Sequence, residues 1–149
     1  MSARVQWATG SARYGIEQKQ GLHTIVTAVE CRLAGIEPRH FALLDTGSSW
    51  SVIGGDLAEQ LTGGEGLGGS SMHTRHGRIQ GTLERIRVTL LAHPGHGVDL
   101  DIDASVLLAR DWPGPIVLGM RGLLENLRLE LDPDETAEDC WWSFGQRAR

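Results

Sequence analysis

Strict alternation of apolar and polar residues from Val98 to Val106 is the sequence feature that most constrains the fold. Every even position in this stretch carries an apolar side chain, and every odd position carries aspartate or serine. Because successive side chains of a β-strand point to opposite faces, the alternation predicts a strand with one buried and one solvated face. The segment therefore indicates a β-rich protein.

Similar short patterns continue along the chain. Further strands are predicted at 25–33, 41–44, 86–90, 116–118, 128–131 and 140–144. The continuous apolar run 41–44 is expected to be buried on both faces. Turns are predicted at 34–35, 93–97 and 111–115, a glycine-rich loop at 62–71 and an acidic loop at 132–139. Because only 56–61 and 122–127 are predicted as short helices, the pattern favours a mainly β barrel or sandwich.

Length and composition limit the class of protein and its partners. The 149 residues suggest one domain, and the formal net charge of −5 argues against nucleic-acid binding. No stretch approaches the length of a membrane span, and the first residues lack the apolar core of a signal peptide. Cys31 and Cys140 could pair in an oxidising compartment, but two reduced thiols are the favoured interpretation. We therefore expect a soluble, cytoplasmic protein with no nucleic-acid or membrane partner.

The stretch His40–Ile53, HFALLDTGSSWSVI, places an aspartate directly after an apolar strand. A buried acid at Asp45 is costly unless it has a use. Gly47 lets the chain turn sharply and bring backbone N–H groups near the carboxylate, and the Thr46 and Ser48 hydroxyls can bond locally. Since Asp, Gly and Ser are all turn formers, the tripeptide alone favours an ordinary connection between a strand and a turn.

The wider context of Asp45 resembles the active-site loop of the aspartic proteases. The run LLDTGS at 43–48 is followed by Val52-Ile53, as in that loop. Downstream, Ile116–Gly119 and Leu123-Leu124 resemble the apolar-apolar-Gly motif and the helix that close each lobe of the family. The intervening segment 73–90 is similar to the flap hairpin and the strand that leaves it. Because each motif occurs once, the resemblance is to the retropepsin-like (retroviral-type) proteases, not to the two-lobed pepsins.

The resemblance implies a retropepsin-like acid-protease β-barrel with one or two short helices. Its core would span about 22–131, with an N-terminal arm at 1–21 and a C-terminal extension at 132–149. The arm could be an ordered strand, an interface arm or a removable leader.

The same resemblance implies an aspartic endopeptidase that works as a homodimer. In the family, two facing aspartates share one proton, because like charges a few ångström apart cannot both ionise. One carboxylate takes a proton from water, the other polarises the peptide carbonyl, and no covalent intermediate forms. This chain offers one such aspartate and is too short for two lobes, so Asp45 must come from each of two copies. The substrate would be a protein or peptide, and neither a metal nor a cofactor is expected.

Roles within the active-site loop follow from position in the family's motif. Asp45 would be catalytic, Thr46 would bond across the dimer axis, and Gly47 would supply backbone groups near the carboxylates and the substrate. Ser48 stands where viral members often have alanine and pepsins have serine or threonine. A hydroxyl there is expected to donate to the aspartate, favour its charged form and give a more acidic optimum than in viral enzymes.

Substrate contacts are implied beside the loop. Ser49 and Trp50 fall where viral members commonly bind substrate, and core filling is the equal alternative for Trp50. Val52 and Val117 would line pockets beside the scissile bond.

The flap candidate is the segment 74–81. Within it, the resemblance assigns substrate contacts to Arg75, His76 and Gly77. The basic residues could favour acidic substrates, and a solvated hairpin is the preferred alternative.

The chain departs from the family after the apolar-apolar-Gly motif. Retroviral members usually carry Arg-Asn or Arg-Asp there, and the arginine braces the active-site loop, but this chain has Met120-Arg121. Met120 cannot take that part, whereas Arg121 could, one position later. The aromatic segment Cys140–Phe144 is either an interface strand or a strand over the monomer's own core. A non-catalytic dimerisation or peptide-binding module is the alternative function.

Other local signals are weaker. The pairs His73/His76 and His93/His96 invite a zinc interpretation, but neither cysteine is spaced near them, and the second pair lies in a Pro-Gly turn, where exposed histidines are expected. The acidic stretch at 99–103 lacks the glycine and terminal glutamate of a calcium loop. No metal site is predicted.

Overall fold

The structure, a computed structural model, describes residues 6–19, 22–74, 77–132 and 140–148. The described chain is mostly strand, which confirms the prediction of a mainly β fold. Its elements, in chain order, are β1 (Gly10–Arg13), β2 (Gly15–Lys19), β3 (Leu22–Leu33), β4 (Ile36–Leu44), β5 (Ser51–Gly54), α1 (Gly55–Leu61), β6 (Glu65–Thr74), β7 (Gly77–Leu90), β8 (Leu100–Ala109), β9 (Ile116–Leu118), a 3₁₀ turn (Leu124–Asn126), β10 (Leu127–Asp132) and β11 (Trp141–Gln146).

The strands form two sheets of unequal size. The larger sheet has the order β2-β3-β4-β9-β5-β8-β7-β6, and an additional pairing joins β3 to β7, so the sheet bends into a ring. The smaller sheet has the order β1-β11-β10. The first described segment is therefore strand: β1 pairs with β11, and β2 pairs with β3.

The predicted glycine-rich loop at 62–71 is wrong over most of its length. Strand β6 begins at Glu65 and pairs with β7 from there to the Thr74–Gly77 contact at the far end. Its register shifts between Gly66 and Gly68, and Gly68 has a φ of +98°, a conformation that glycine adopts without the usual steric cost. The long partner strand β7 overrides the weak local strand preference of glycine.

Three other boundaries or burial predictions are also corrected. Strand β8 begins at Leu100 and not at Val98, and the predicted helix 122–127 is a 3₁₀ turn of three residues. Phe41 leaves 68% of its surface exposed, so the run 41–44 is buried on one face only. The reason is that β4 alternates, with Ala42 in the core and Phe41 on the outer face. The acidic segment 133–139 lies outside the described residues.

Two hydrophobic clusters occupy opposite faces of the strands around β9. The main core lies inside the ring and includes Ile53, Val106 and Leu118. Each of these residues is followed or preceded by a member of the second cluster, which contains Val52, Met72, Leu107, Ala109 and Val117. The alternation of strand side chains thus gives β5, β8 and β9 two apolar faces, as expected of strands covered on both sides.

The C-terminal strand covers the core of its own chain. Trp142 and Phe144 of β11 are fully buried, with their ring centroids 4.8 Å apart. Strand β11 is the middle strand of its sheet, so its backbone already has neighbours on both sides. The structure therefore favours the core-strand interpretation of Cys140–Phe144 over the interface-strand interpretation. Among the described helices, none has the length and apolar character needed to cross a membrane.

Candidate functional site

The candidate site is built where β4 ends and β5 begins, with β9 inserted between them. Strand β9 runs parallel to β4 and antiparallel to β5. The connection 45–50 therefore leaves one side of β9 and returns on the other. The Asp45 N–H donates to the Leu118 carbonyl (3.0 Å), which extends the β4–β9 ladder to the first residue of the connection. Asp45 is thus held at the carboxyl end of β4, beside Gly119.

A tight turn holds the Asp45 carboxylate. The Gly47 N–H donates to Asp45 Oδ1 (2.9 Å), and the Ser48 N–H donates to the Asp45 carbonyl (3.1 Å). A Cβ at position 47 would lie 3.2 Å from that same oxygen, so glycine gives the closest approach of backbone to carboxylate. Asp45, Thr46 and Gly47 are all exposed in the single chain. The carboxylate therefore keeps its hydration, and the burial cost expected from the sequence is not incurred.

The predicted contact between Ser48 and Asp45 is absent from the described structure. The Ser48 hydroxyl instead donates to the Trp50 carbonyl (2.7 Å) and lies 3.5 Å from Met72 Sδ. A hydroxyl has a single hydrogen to donate, so this arrangement leaves none for the carboxylate. In this conformation Ser48 shapes the loop and contacts the β6 strand, and the expected acidic optimum loses its geometric basis.

The segment 119–121 braces the loop 45–50 from the other side. A Cβ on Gly119 would lie 2.3 Å from the Trp50 carbonyl, so only glycine allows the two chains to pass. The Gly119 N–H donates to the hydroxyl of Ser51 (2.9 Å), which is fully buried. The next two N–H groups, of Met120 and Arg121, donate to the carbonyls of Ser48 and Ser49 (2.9 Å each). These three bonds, one to a side-chain hydroxyl and two to backbone carbonyls, tie residues 119–121 to the loop 45–50 and to the start of β5.

Arg121 reaches the loop through an aromatic ring. Its guanidinium carbon lies 5.7 Å from the centroid of the half-buried Trp50 ring, within the range of a cation–π contact. The same two residues form an isolated parallel β-bridge. Arg121 therefore contacts the loop one position later than the family pattern, and it does so through Trp50 and not through a carboxylate. Ser49 is exposed and offers only its carbonyl to this segment.

Val52 and Val117, which were predicted to line substrate pockets, lie next to each other in the sheet. They pair directly across β5 and β9, and both are buried. Met72 of β6 packs in the same cluster, and Ile79 and Leu83 of β7 pack against it. The β6–β7 hairpin thus already covers the floor that these two valines form.

The described part of the segment predicted as a flap lies in the β6–β7 hairpin. Its strands meet at Thr74 and Gly77, where the Thr74 hydroxyl donates to the Gly77 carbonyl (2.9 Å). Gly77 is exposed and has a φ of +117°. Arg75 and His76, which were assigned to substrate binding, lie outside the described residues.

Sequence reasoning missed two buried polar residues, Glu84 at the base of the β6–β7 hairpin and Ser51 beside the loop 45–50. Glu84 of β7 is only 3% exposed, and its carboxylate oxygens accept hydrogen bonds from the Gly63 and Gly64 N–H groups (3.2 Å each). A signal was present, since Glu84 falls on the apolar side of the alternation that continues through Ile86 and Val88. Ser51 was missed because a serine beside Trp50 in a strand carries no comparable signal.

Neither thiol suits nucleophilic chemistry. Cys31 and Cys140 are both free and buried. Burial raises the pKa of Cys31 to about 12, so its reactive thiolate form is scarce at neutral pH. Burial, then the nearby Cys140, also raises the pKa of Tyr14 to about 12.

The histidines of the 93–97 turn pack on an aromatic side chain. The His96 ring stacks on Trp141 at 4.2 Å between centroids, and His93 meets both rings edge-on at 5.4 Å. Within the described part of the chain, no group of three or more potential ligands from His, Cys, Asp and Glu is placed to hold a metal ion.

Comparisons with known proteins add no identification. The chain matches no protein-family model, and no curated protein matches it. The functional interpretation therefore rests on the sequence motifs and on the geometry of the loop at Asp45.

Proposed function

We propose that this protein is a retropepsin-like aspartic endopeptidase whose active site forms when two copies bring their Asp45 carboxylates together. One observation carries the proposal: Asp45 is fixed at the end of β4 by the Gly47 N–H and by the ladder to β9, yet it is exposed. An Asx turn alone is common at the end of a strand, but here the ladder to β9 also places the acid beside the end of the apolar-apolar-Gly motif. The exposed side of the carboxylate is available to a second copy.

The chemistry follows from two carboxylates that share one proton. The ionised carboxylate takes a proton from a water molecule as the water oxygen adds to the peptide carbonyl carbon. The other carboxyl group gives its proton to the carbonyl oxygen, which forms a neutral tetrahedral diol. As the diol collapses, the ionised carboxylate takes the proton of one hydroxyl, the C–N bond breaks, and the protonated carboxyl group gives its proton to the leaving nitrogen, which restores the singly protonated pair. The pair titrates as a unit, so the two macroscopic pKa values belong to neither copy alone.

The substrate would be an extended peptide bound between the Asp45 loop and the β6–β7 hairpin. Main-chain bonds would hold it as they hold an added strand, with Gly77 above and Ser49 below as backbone partners. Val52 and Val117 would form the pocket floor. Because Met72 now packs against that floor, the hairpin must lift before a side chain can enter. Hairpin opening would therefore limit the rate of substrate binding.

The buried, unpaired thiols Cys31 and Cys140 fit a reducing compartment, and we propose a cytoplasmic location. The packing of the β6–β7 hairpin over Val52 and Val117 also fits the second candidate, a dimerisation or peptide-binding module without catalysis.

Cleavage of a peptide library, read by mass spectrometry from acid to neutral pH, separates these functions. The variant Asp45→Asn keeps the size of the side chain and an oxygen that accepts the Gly47 N–H bond, but it cannot act as a base. The matched control is Asp103→Asn, which makes the same change at an exposed position of β8 outside the cluster that contains Val52 and Val117. We expect specific cuts with wild type and with the control, and none with Asp45→Asn.

Two results would reject the endopeptidase. Equal cutting by Asp45→Asn would exclude the shared-dyad mechanism. A folded wild-type dimer that makes no cut at any pH would favour the binding module. Sedimentation velocity under the same conditions establishes whether a dimer is present.

A further inference from the structure

Strand β10 ends the smaller sheet with an open edge. Within the described chain it pairs with β11 alone, from Leu127 opposite Gln146 to Asp132 opposite Trp141. Its residue Leu131 leaves 48% of its surface exposed, although it stands opposite the fully buried Trp142. An open edge that carries an exposed leucine is a template for pairing with another strand.

The free hydrogen-bonding groups of this edge can be assigned. The Arg147 N–H donates to the Asn126 carbonyl (3.1 Å), so even-numbered residues here direct their backbone groups towards β11. In a strand, the N–H and C=O groups of successive residues point to alternate sides. The backbone groups of Leu127, Leu129 and Leu131 therefore face outwards, although the Leu127 N–H already donates to the Leu124 carbonyl. An added antiparallel strand would bond to the N–H and C=O groups of Leu129 and Leu131 and to the Leu127 carbonyl.

The side chains along β10 are complementary to those of a second β10 strand in one register. If Leu129 lies on a two-fold axis, Leu127 stands opposite Leu131, and Arg128 stands opposite Glu130 in both halves. If the two-fold axis lies instead at the residue before or after Leu129, Arg128 stands opposite Arg128 of the other copy, or Glu130 stands opposite Glu130. Like charges directly opposite are destabilising, whereas opposite charges stabilise the pair. The charge pattern thus selects one register.

We propose that β10 is the dimer strand, which pairs antiparallel with β10 of a second copy about an axis at Leu129. The two three-stranded sheets would join into one of six strands. Leu131 would be covered by Leu127 of the other copy. This inference rests on the proposed function, because it names the surface through which the two Asp45 loops would be brought together.

The β10 edge is continuous with the candidate site. Met120 is bonded through its N–H to the Ser48 carbonyl in the active-site loop. Its exposed side chain also lines a surface groove that includes Leu127 and Arg128 at the start of β10. Arg128 is held at this edge by Trp7, whose ring centroid lies 5.1 Å from the guanidinium carbon. A copy seated on β10 would therefore also lie beside the loop.

Charge reversal at the two paired positions tests the register with the full chain. Arg128→Glu alone sets two acidic residues against each other, and Glu130→Arg alone sets two basic residues against each other. We expect each single variant to raise the dimer dissociation constant about tenfold in sedimentation velocity at low salt, since two pairs change from attraction to repulsion.

Recombination of the charges supplies the matched control. An equimolar mixture of Arg128→Glu and Glu130→Arg chains should restore a dimer close to wild-type affinity, because each chain then complements the other. The double variant Arg128→Glu/Glu130→Arg should do the same by itself. Arg128→Lys, which keeps the charge and the position over Trp7, should change the affinity little. Circular dichroism and thermal unfolding show that each variant is folded.

A disulfide trap tests the axis independently of charge. The variant Leu129→Cys should form a covalent dimer on mild oxidation, because paired Cα atoms across the axis would lie within disulfide range. The variants Arg128→Cys and Glu130→Cys should not, since each of these positions faces the other and not itself. The native Cys31 and Cys140 are buried and serve as the internal control.

The outcomes separate this interface from the proposed activity. If single charge reversals leave the dissociation constant unchanged, or if the mixture fails to restore it, β10 is not the dimer strand, although peptide cleavage could still depend on Asp45. If the charge swap behaves as expected but no peptide is cut, the interface stands and the endopeptidase proposal falls.

Discussion

Replacing Ser51 by alanine removes the contact that ties the end of β9 to the strand after the active-site loop. The Ser51 hydroxyl accepts the Gly119 N–H at 2.9 Å, and the serine is fully buried. Alanine keeps the strand geometry and leaves almost no cavity, so the main effect is a buried N–H without an acceptor. The variant therefore isolates one hydrogen bond.

The expected cost can be estimated from the burial. A buried donor that loses its partner destabilises the folded state by about 1–3 kcal/mol. For a chain of about 150 residues, each kcal/mol lowers the Tm by about 2–4 °C, so we expect a decrease of about 2–12 °C. Gly119 also lies close to the Trp50 carbonyl, so a displaced Gly119 should displace the loop 45–50 as well. Peptide cleavage should fall at temperatures well below unfolding.

Differential scanning calorimetry of wild type, Ser51→Ala and Ser70→Ala measures the effect. Ser70 is a half-buried serine of β6, so its replacement should change the free energy of unfolding by no more than about 0.5 kcal/mol. A Ser51→Ala protein with the Tm of the Ser70→Ala protein would contradict the reasoning. It would mean that the Gly119 N–H finds another partner and that the brace at the loop is not needed.

Three other changes have defined outcomes. Arg121→Ala should destabilise the fold by about 0.5–1 kcal/mol through loss of the contact with the Trp50 ring, whereas Arg121→Lys should retain most of it, as measured by urea unfolding. Glu84→Gln offers one acceptor where the carboxylate offers two, so one of the glycine N–H groups at the hairpin base should lose its partner; faster amide exchange at Gly63 or Gly64 would show it, and unchanged exchange would contradict it. The raised pKa of Cys31 means that the unfolded chain loses this thiol proton first, so stability should fall as the pH rises from about 9 to about 12, by at most about 1.4 kcal/mol per pH unit. Chemical unfolding of Cys31→Ala over this range should show a smaller loss.

The local patterns of the sequence predicted strands well where one face is buried and one is solvated. The alternation around Ile102 gave β8 to within a few residues, because burial of alternate side chains is a local property. The glycine-rich segment after Thr62 was predicted wrongly, since its strand state depends on a partner that begins only at Gly77. The pairing of β3 with β7 is likewise non-local, and nothing within either segment encodes it.

The candidate site shows the same division between local and non-local information. The turn at Asp45 and the need for glycine at 47 and 119 follow from residue type and position. The direction of the Ser48 hydroxyl does not, because the Trp50 carbonyl competes for it and Met72 arrives from a distant strand. Hydroxyl partners are decided by the nearest acceptor in the fold, which a single sequence does not reveal.

The exposure of Asp45 means that a dimer needs a contact surface outside the site, and the edge of the smaller sheet is such a surface. In a single copy the carboxylate stays hydrated at little cost, so nothing in the isolated chain drives two such acids together. Two ionised carboxylates a few ångström apart repel each other until they share one proton, so their approach costs free energy. Contacts away from the carboxylates have to offset this cost. A β10 pairing with apolar contacts at Leu129 and Leu131 and two charge pairs would supply it, and the bracing by Gly119 and Ser51 would keep the loop from relaxing under the strain.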